Sequence, residues 1–175
     1  MPSDPMFNVA YDRSFKNEGA FQKNPKDRGN WTSGTVGVGE LKGTKGGISA
    51  MSYPDLDIEN LTELRIKSIY ERDWWDKLRM DRFPPAMQYQ WFDAAINHGT
   101  YNATKILQRA INAKDDGVIG PKTMALINTM EKNDLLMNFL SNRLIFMTNA
   151  PTWDEFGKGW ARRVALNLQF ATQDN

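Results

Sequence analysis

The chain has 175 residues, a formal net charge of +1, 41% hydrophobic and 25% charged residues, and no cysteine. That length fits one domain, or a compact lobe joined to a small helical one, and the composition carries no disordered or collagen-like bias. Lysine and arginine are not clustered, which argues against a nucleic-acid footprint and a stable membrane-surface role, and the lack of cysteine excludes disulfides, thiolate metal sites and thiol nucleophiles.

The first predicted element is a helix over residues 5–18, in which Phe7, Ala10, Tyr11, Ser14 and Phe15 recur at helical spacing and Glu18 falls on the same side, toward the body. Gly19 supplies the left-handed residue that commonly ends a helix. From Asp27 to Ser49 the sequence is glycine-rich, with Val36, Val38 and Leu41 spaced as in short twisted strands, so a small antiparallel sheet is expected. After Tyr53-Pro54, Asn60 is expected to cap a helix, with Glu63 at the third position of a capping box and Ile66, Ile69, Tyr70 and Trp74 following. Pro84-Pro85 restarts the chain at a helix N-terminus. Residues 86–97 are too apolar for a surface helix and are expected to form the central buried one. Helices over 102–113 and 121–131, joined by a turn through Asp115-Asp116-Gly117, precede two more over 133–148 and 153–171. The expected class is mainly α (α+β), with one small glycine-rich sheet near the N-terminus.

A carboxyl at the negative end of a helix dipole, partly buried, loses its proton less readily, so Glu18 is expected to have a raised pKa and to act as a proton donor. Glycoside hydrolysis needs such an acid to protonate the leaving oxygen, and usually a second, ionised carboxylate; Asp27 is the nearest candidate in sequence. Taken alone, a Glu at a helix end is more often simply solvated. His98 is the only histidine, which excludes a multi-histidine metal site and reads as structural. The 115–117 segment lacks the calcium-loop ladder, and GVGELKGTKGG lacks phosphate-loop spacing. No metal or cofactor is expected.

Glu18-Gly19, then Asp27, then Gly43-Thr44-x-x-Gly47-Ile48-Ser49 resembles the glycoside hydrolase family 108 muramidases, whose signature runs E-G-G, D-P-G-G-x-T and G-I-T. The likeness extends through SYPDLDIENLT, IYERDWW and PPAMQYQWFDAAINHG to ILQRAINAKDDGVIGPKTMALIN, which is similar to the helical peptidoglycan-binding region that accompanies the catalytic part. Ala20 stands for the second glycine, Arg28 for the proline, and extra residues separate the two later motifs. Thr32, Thr35 and Thr44 therefore compete for the family's third polar position, with the surroundings of Thr44 matching best.

The resemblance implies a lysozyme-like fold with a catalytic region over 1–95 and a peptidoglycan-binding helical region over 96–175, either packed together or forming one domain. It implies hydrolysis of the β-1,4 bond between N-acetylmuramic acid and N-acetylglucosamine, with Glu18 as general acid and with Asp27 and a threonine handling the water. Trp31 and Tyr53 are read as cleft walls or core, Asn30 and Asn97 as partners of acetamido groups, with Asn97 alternatively capping the central helix. Trp74, Trp75, Trp91 and Phe92 are read as core. The N-terminus lacks a basic and apolar leader pattern, so the chain is expected to be made in the host bacterial cytoplasm as a monomeric phage endolysin. It would then reach the wall after a separate holin-type protein permeabilises the membrane. The rival readings are a non-catalytic wall-binding protein and a lytic transglycosylase.

Overall fold

A computed structural model describes residues 4–15 and 19–174; Lys16, Asn17 and Glu18 lie outside them, and so does the helix-end placement expected of Glu18. The chain forms two compact units, Phe7–Lys77 and Leu78 onward with Asp4–Met6. Among the described residues the fold is mainly α, with a single two-stranded antiparallel sheet.

Helix α1 (Pro5–Phe15), which belongs to the first unit from Phe7 onward, starts on a proline, where a missing N–H costs nothing, behind Asp4, whose carboxylate accepts the Met6 N–H at 2.8 Å. Its apolar stripe buries Phe7, Ala10 and Tyr11. Phe7 meets Trp75 edge-on with centroids 5.6 Å apart, and Phe15 lies against Tyr70 at 4.0 Å. The Lys67 ammonium sits 5.3 Å from the centre of the Tyr11 ring, a cation–π distance.

Strands β1 (Thr44–Lys45) and β2 (Ile48–Ser49) pair with Thr44 opposite Ser49 and Lys45 opposite Ile48. The two linking residues are Gly46 and Gly47, with φ of 53° and 76°, and two successive positive φ values are what a type I′ hairpin requires. Helix α2 (Glu63–Tyr70) packs directly beneath this turn. A Cβ on Gly46 would approach an Ile66 methyl to 2.9 Å, one on Gly47 would collide with the Tyr70 hydroxyl, and that hydroxyl donates to the Gly46 carbonyl at 3.2 Å.

Two local expectations are corrected. Val36 and Val38 are not in strands: they are 52% and 54% exposed on a turn-rich loop containing Gly34, Gly37 and Gly39, all at positive φ. That loop is closed by Thr32, whose N–H donates to the Glu40 carbonyl and whose hydroxyl accepts from the Glu40 N–H, both at 2.9 Å. Of the three residues, Leu41 alone pairs, in an isolated bridge to Trp31. The cap of α2 is Thr62, whose hydroxyl accepts from the Arg65 N–H at 3.2 Å, while Asn60 donates to Asp57 at 2.8 Å. Glu63 is thus the first helical residue rather than the third.

In the second unit, α3 (Pro85–Ala110) begins at the double proline and is interrupted at Gly99, whose φ of 76° and ψ of 152° are not helical. The two helices expected over 86–97 and 102–113 are the two arms of this element, and residue 95 lies within its first arm. Helices α4 (Pro121–Thr129), α5 (Lys132–Thr148) and α6 (Trp153–Asp174) follow. Trp91 and Phe92 are buried, with Phe83 stacked on Trp91 at 5.1 Å; in the first unit Trp75 is buried and Trp74 half-buried. The 115–118 turn is pinned by the buried Gln108, which donates to Asp116 and accepts from the Gly117 N–H, each at 2.8 Å.

At the centre of this unit, Asp93 is 1% exposed and accepts from Arg143 at 2.6 Å, Arg163 at 2.8 Å and Asn167 at 2.9 Å. Burial alone would raise its pKa, but the two guanidinium groups and the Asn167 amide outweigh it and hold the carboxyl below the usual range. Arg143 also donates from Nε to His98 Nε2 at 3.0 Å, which fixes the imidazole as neutral with its proton on Nδ1.

Candidate active site

Asp27 precedes a 3-10 turn (Arg28–Asn30) as its cap. One carboxylate oxygen accepts from the Gly29 N–H at 2.9 Å and the other from Gln22 Nε2 at 3.2 Å, so the group is oriented although exposed. Asn30 is fully buried: its amide nitrogen donates to Gln22 Oε1 at 2.8 Å and to the Asn24 carbonyl at 2.9 Å. Its Oδ1 accepts from Gln22 Nε2 at 3.1 Å and from Thr44 Oγ1 at 2.7 Å. Both donors and both acceptor positions of the amide are thereby occupied. Asn30 therefore organises these loops and presents no free atom to an acetamido group.

Asp27, Gln22, Asn30 and Thr44 form one connected hydrogen-bonded chain. Thr32 instead closes its own loop on Glu40, and the exposed Thr35 bonds within that loop through its backbone, its N–H donating to Ser33 Oγ at 3.1 Å and its carbonyl accepting from the Val38 N–H at 3.1 Å. Because Thr44 gives its only hydroxyl hydrogen to Asn30, its oxygen is left as an acceptor.

The segment after Glu18 belongs to the same framework. Gln22 and Thr44 exchange two backbone hydrogen bonds at 2.9 Å, and the Gly19 carbonyl accepts from the Gly46 N–H at 3.1 Å. Residues 19–22 thus run alongside β1, tying the immediate neighbour of Glu18 to the strand that carries Thr44. Gly19 has a φ of 56°, the left-handed conformation expected of it. A cleft of about 270 Å³ opens here, lined by Tyr11, Phe15, Gly19, Lys45 and Glu63 among others. The Tyr11 hydroxyl is pushed up in pKa, first by burial and then by the Glu63 and Asp12 carboxylates.

Tyr53 is half-buried and donates to Asp73 at 2.9 Å; burial and then this bond push its pKa up to about 12, so the phenol stays protonated. Trp31 is half-buried, with its indole N–H on the Pro25 carbonyl at 2.9 Å. Asn97 belongs to the second unit, where its amide donates back to Asp93 at the backbone carbonyl (2.7 Å) and at Oδ1 (3.1 Å). Two residues of the first unit escaped the sequence reading. Gln22 has no motif, and its only signal is its place between Glu18 and Asp27. Glu63 was absorbed by the capping-box pattern, which gave its carboxylate a purely local task.

The sequence model of the family described as Glycosyl hydrolase 108 matches residues 11–99, just over half of the chain. Among solved structures, that of SagA from Brucella abortus is similar at 28% identity and a TM-score of 0.75, covering 96% of this chain and 94% of that one. No curated protein matches the chain. The matched segment contains every residue of the Asp27–Gln22–Asn30–Thr44 chain, the Glu18-Gly19 motif and the cleft lined by Gly19, and with this coverage the protein belongs to the glycosyl hydrolase 108 family, glycosidases that degrade peptidoglycan.

Proposed function

We propose that the protein is a muramidase, hydrolysing the β-1,4 bond between N-acetylmuramic acid and N-acetylglucosamine. Glu18 donates its proton to the glycosidic oxygen as that bond breaks. Water adds to the anomeric carbon from the opposite face, giving its proton to Asp27 while Thr44 holds its other hydrogen, an inverting arrangement. The observation that carries this reading is the hydrogen-bonded chain from Asp27 to Thr44, set on the strand to which the residue after Glu18 is tied. Trp31 and Tyr53 are proposed as cleft walls, and the helical region from residue 96 as the part that holds the enzyme on the wall.

The setting that suits this activity is a monomeric phage endolysin made in the host cytoplasm and admitted to the wall by a holin-type protein. Among the described residues no helix is long and apolar enough to cross a membrane. The deciding experiment is Glu18→Gln against the wild type on purified murein, followed by reducing-end release and mass spectrometry. The wild type is expected to yield hydrated reducing ends and the variant to lose activity by about 10²-fold or more, the scale of a general acid. Anhydromuramoyl products would mean a transglycosylase, and an active Glu18→Gln would remove Glu18 from the mechanism.

A further inference from the structure

Helix α6 carries Trp153, Phe156 and Trp160 on one side, at spacings of three and four residues that align side chains on a helix face. Trp153 and Trp160 have ring centroids 6.1 Å apart, and Phe156 and Trp160 6.0 Å apart. Phe156 is 48% exposed and both tryptophans are half-buried, so the cluster reaches the surface of the second unit. It is built in by the backbone: a Cβ at Gly157 would stand 2.7 Å from the Trp153 indole, so only glycine lets that ring lie against the helix.

One edge of the cluster drops into a cavity of about 70 Å³ lined by Trp160, Arg163, Asn97, His98, Phe146 and Met147. That is about a quarter of the 270 Å³ cleft lined by Gly19 in the first unit, a space for a small group rather than for a run of sugar rings. Its polar groups are of matched kinds. Since His98 Nε2 accepts from Arg143, its Nδ1–H is a donor that none of the described hydrogen bonds occupies. Asn97 uses its amide nitrogen on Asp93, leaving Oδ1 to accept. Arg163 is held through Nη1 by Asp93 and keeps further N–H donors. Phe146, Met147 and Trp160 supply apolar surface for a methyl group.

We propose that this cavity and the adjoining aromatic cluster form a second glycan subsite, taking the acetamido group of an N-acetylated hexosamine in the peptidoglycan strand. The carbonyl accepts from His98 and Arg163, the amide N–H donates to Asn97, the methyl enters the apolar floor, and the sugar ring packs on Trp160 as apolar sugar faces pack on aromatic rings. The subsite deepens the reading of the helical region as the wall-holding part and rests on it. Because every contributing residue comes from the second unit, the site does not depend on the catalytic residues.

The test uses the full chain carrying Glu18→Gln, titrated with N-acetylglucosamine trisaccharide and with the same trisaccharide fully deacetylated, followed by the indole N–H signals, with that of Trp160 assigned from Trp160→Phe. The Trp160 signal should move saturably with the acetylated sugar only. Asn97→Ala, and separately Ala150→Leu, which fills the cavity from its rim, should each weaken that response about tenfold, a loss of one amide-scale interaction. An unmoved Trp160 signal, an equal response to the deacetylated sugar, or full binding in Ala150→Leu would overturn the subsite. Hydrolysis of murein by the wild type with an unmoved Trp160 signal would sink the subsite alone. A moving signal in a protein whose wild type releases no reducing ends would sink the catalytic reading alone.

Discussion

Thr44 donates a 2.7 Å hydrogen bond to the Oδ1 of Asn30, a side chain fully buried fourteen residues earlier in the chain. The bond links the strand that pairs with Gln22 to the loop that presents Asp27, so substitutions at its two ends are expected to separate stability from turnover.

Asn30→Ala leaves Gln22, the Asn24 carbonyl and Thr44 without their shared partner, and unsatisfied buried polar groups cost about 1–3 kcal/mol each before relaxation. A loss of about 2–3 kcal/mol in urea unfolding is expected. Thr44→Val keeps the shape and removes one hydroxyl. It should cost only about 1 kcal/mol while lowering the turnover of murein substantially. Equal turnover in Thr44→Val and wild type would return the assisting role to Thr32 or Thr35.

Gly37 and Gly47 share a left-handed backbone, at φ of 80° and 76°, but differ in surroundings. Space around Gly37 is open, whereas a Cβ on Gly47 meets the Tyr70 hydroxyl. Gly37→Ala should cost about 1–2 kcal/mol, the conformational term alone. Gly47→Ala should cost clearly more, because the hairpin must lift from α2 and release the bond to the Gly46 carbonyl. Thermal unfolding of the two variants side by side checks this, and equal shifts would mean the hairpin is not seated as described.

His98 has its pKa lowered from 6.5 to about 4, first by burial and then by the Arg143 guanidinium, with Arg163 adding and Asp93 opposing. On acidification the unfolded chain takes this proton before the folded one, so the contribution is complete above pH 6.5 and is lost as the pH falls from 6.5 to about 4. A shift of this size corresponds to a loss on the order of 3 kcal/mol. His98→Gln, which stays neutral and can still accept from Arg143, should remove that part of the pH dependence. Identical slopes of unfolding free energy against pH in the two proteins would contradict the pairing.

Arg143 is buried and joins Asp93 on α3 to α5. Arg143→Met leaves Asp93 with Arg163 and Asn167 and deprives His98 of its donor. Breaking one side of a buried ion pair costs about 3–5 kcal/mol. Urea unfolding should show a loss of that order, and Asp93→Asn in the same chain should restore part of it. Additive losses in the double variant would mean that the two side chains act independently.

The sequence by itself determined the mainly α class, the order of the helices, the buried Trp75, Trp91 and Phe92, the left-handed Gly19 and the family. Those features rest on spacing along a helix, on proline and glycine backbone limits, and on motifs read within a few residues. Local signals also misled where several fitted at once: Val36 and Val38 alternate like strand residues but find no partner strand, and Asn60 resembled a cap that Thr62 supplies. Only the tertiary structure decided that Asn30 is a buried organiser, that Gln22 connects Asp27 to Thr44, and that Asp93 gathers Arg143 and Asn167 from fifty and seventy-four residues away. A hydrogen bond between distant segments depends on where the folded backbone places two polar groups, and no periodicity within either segment records that position.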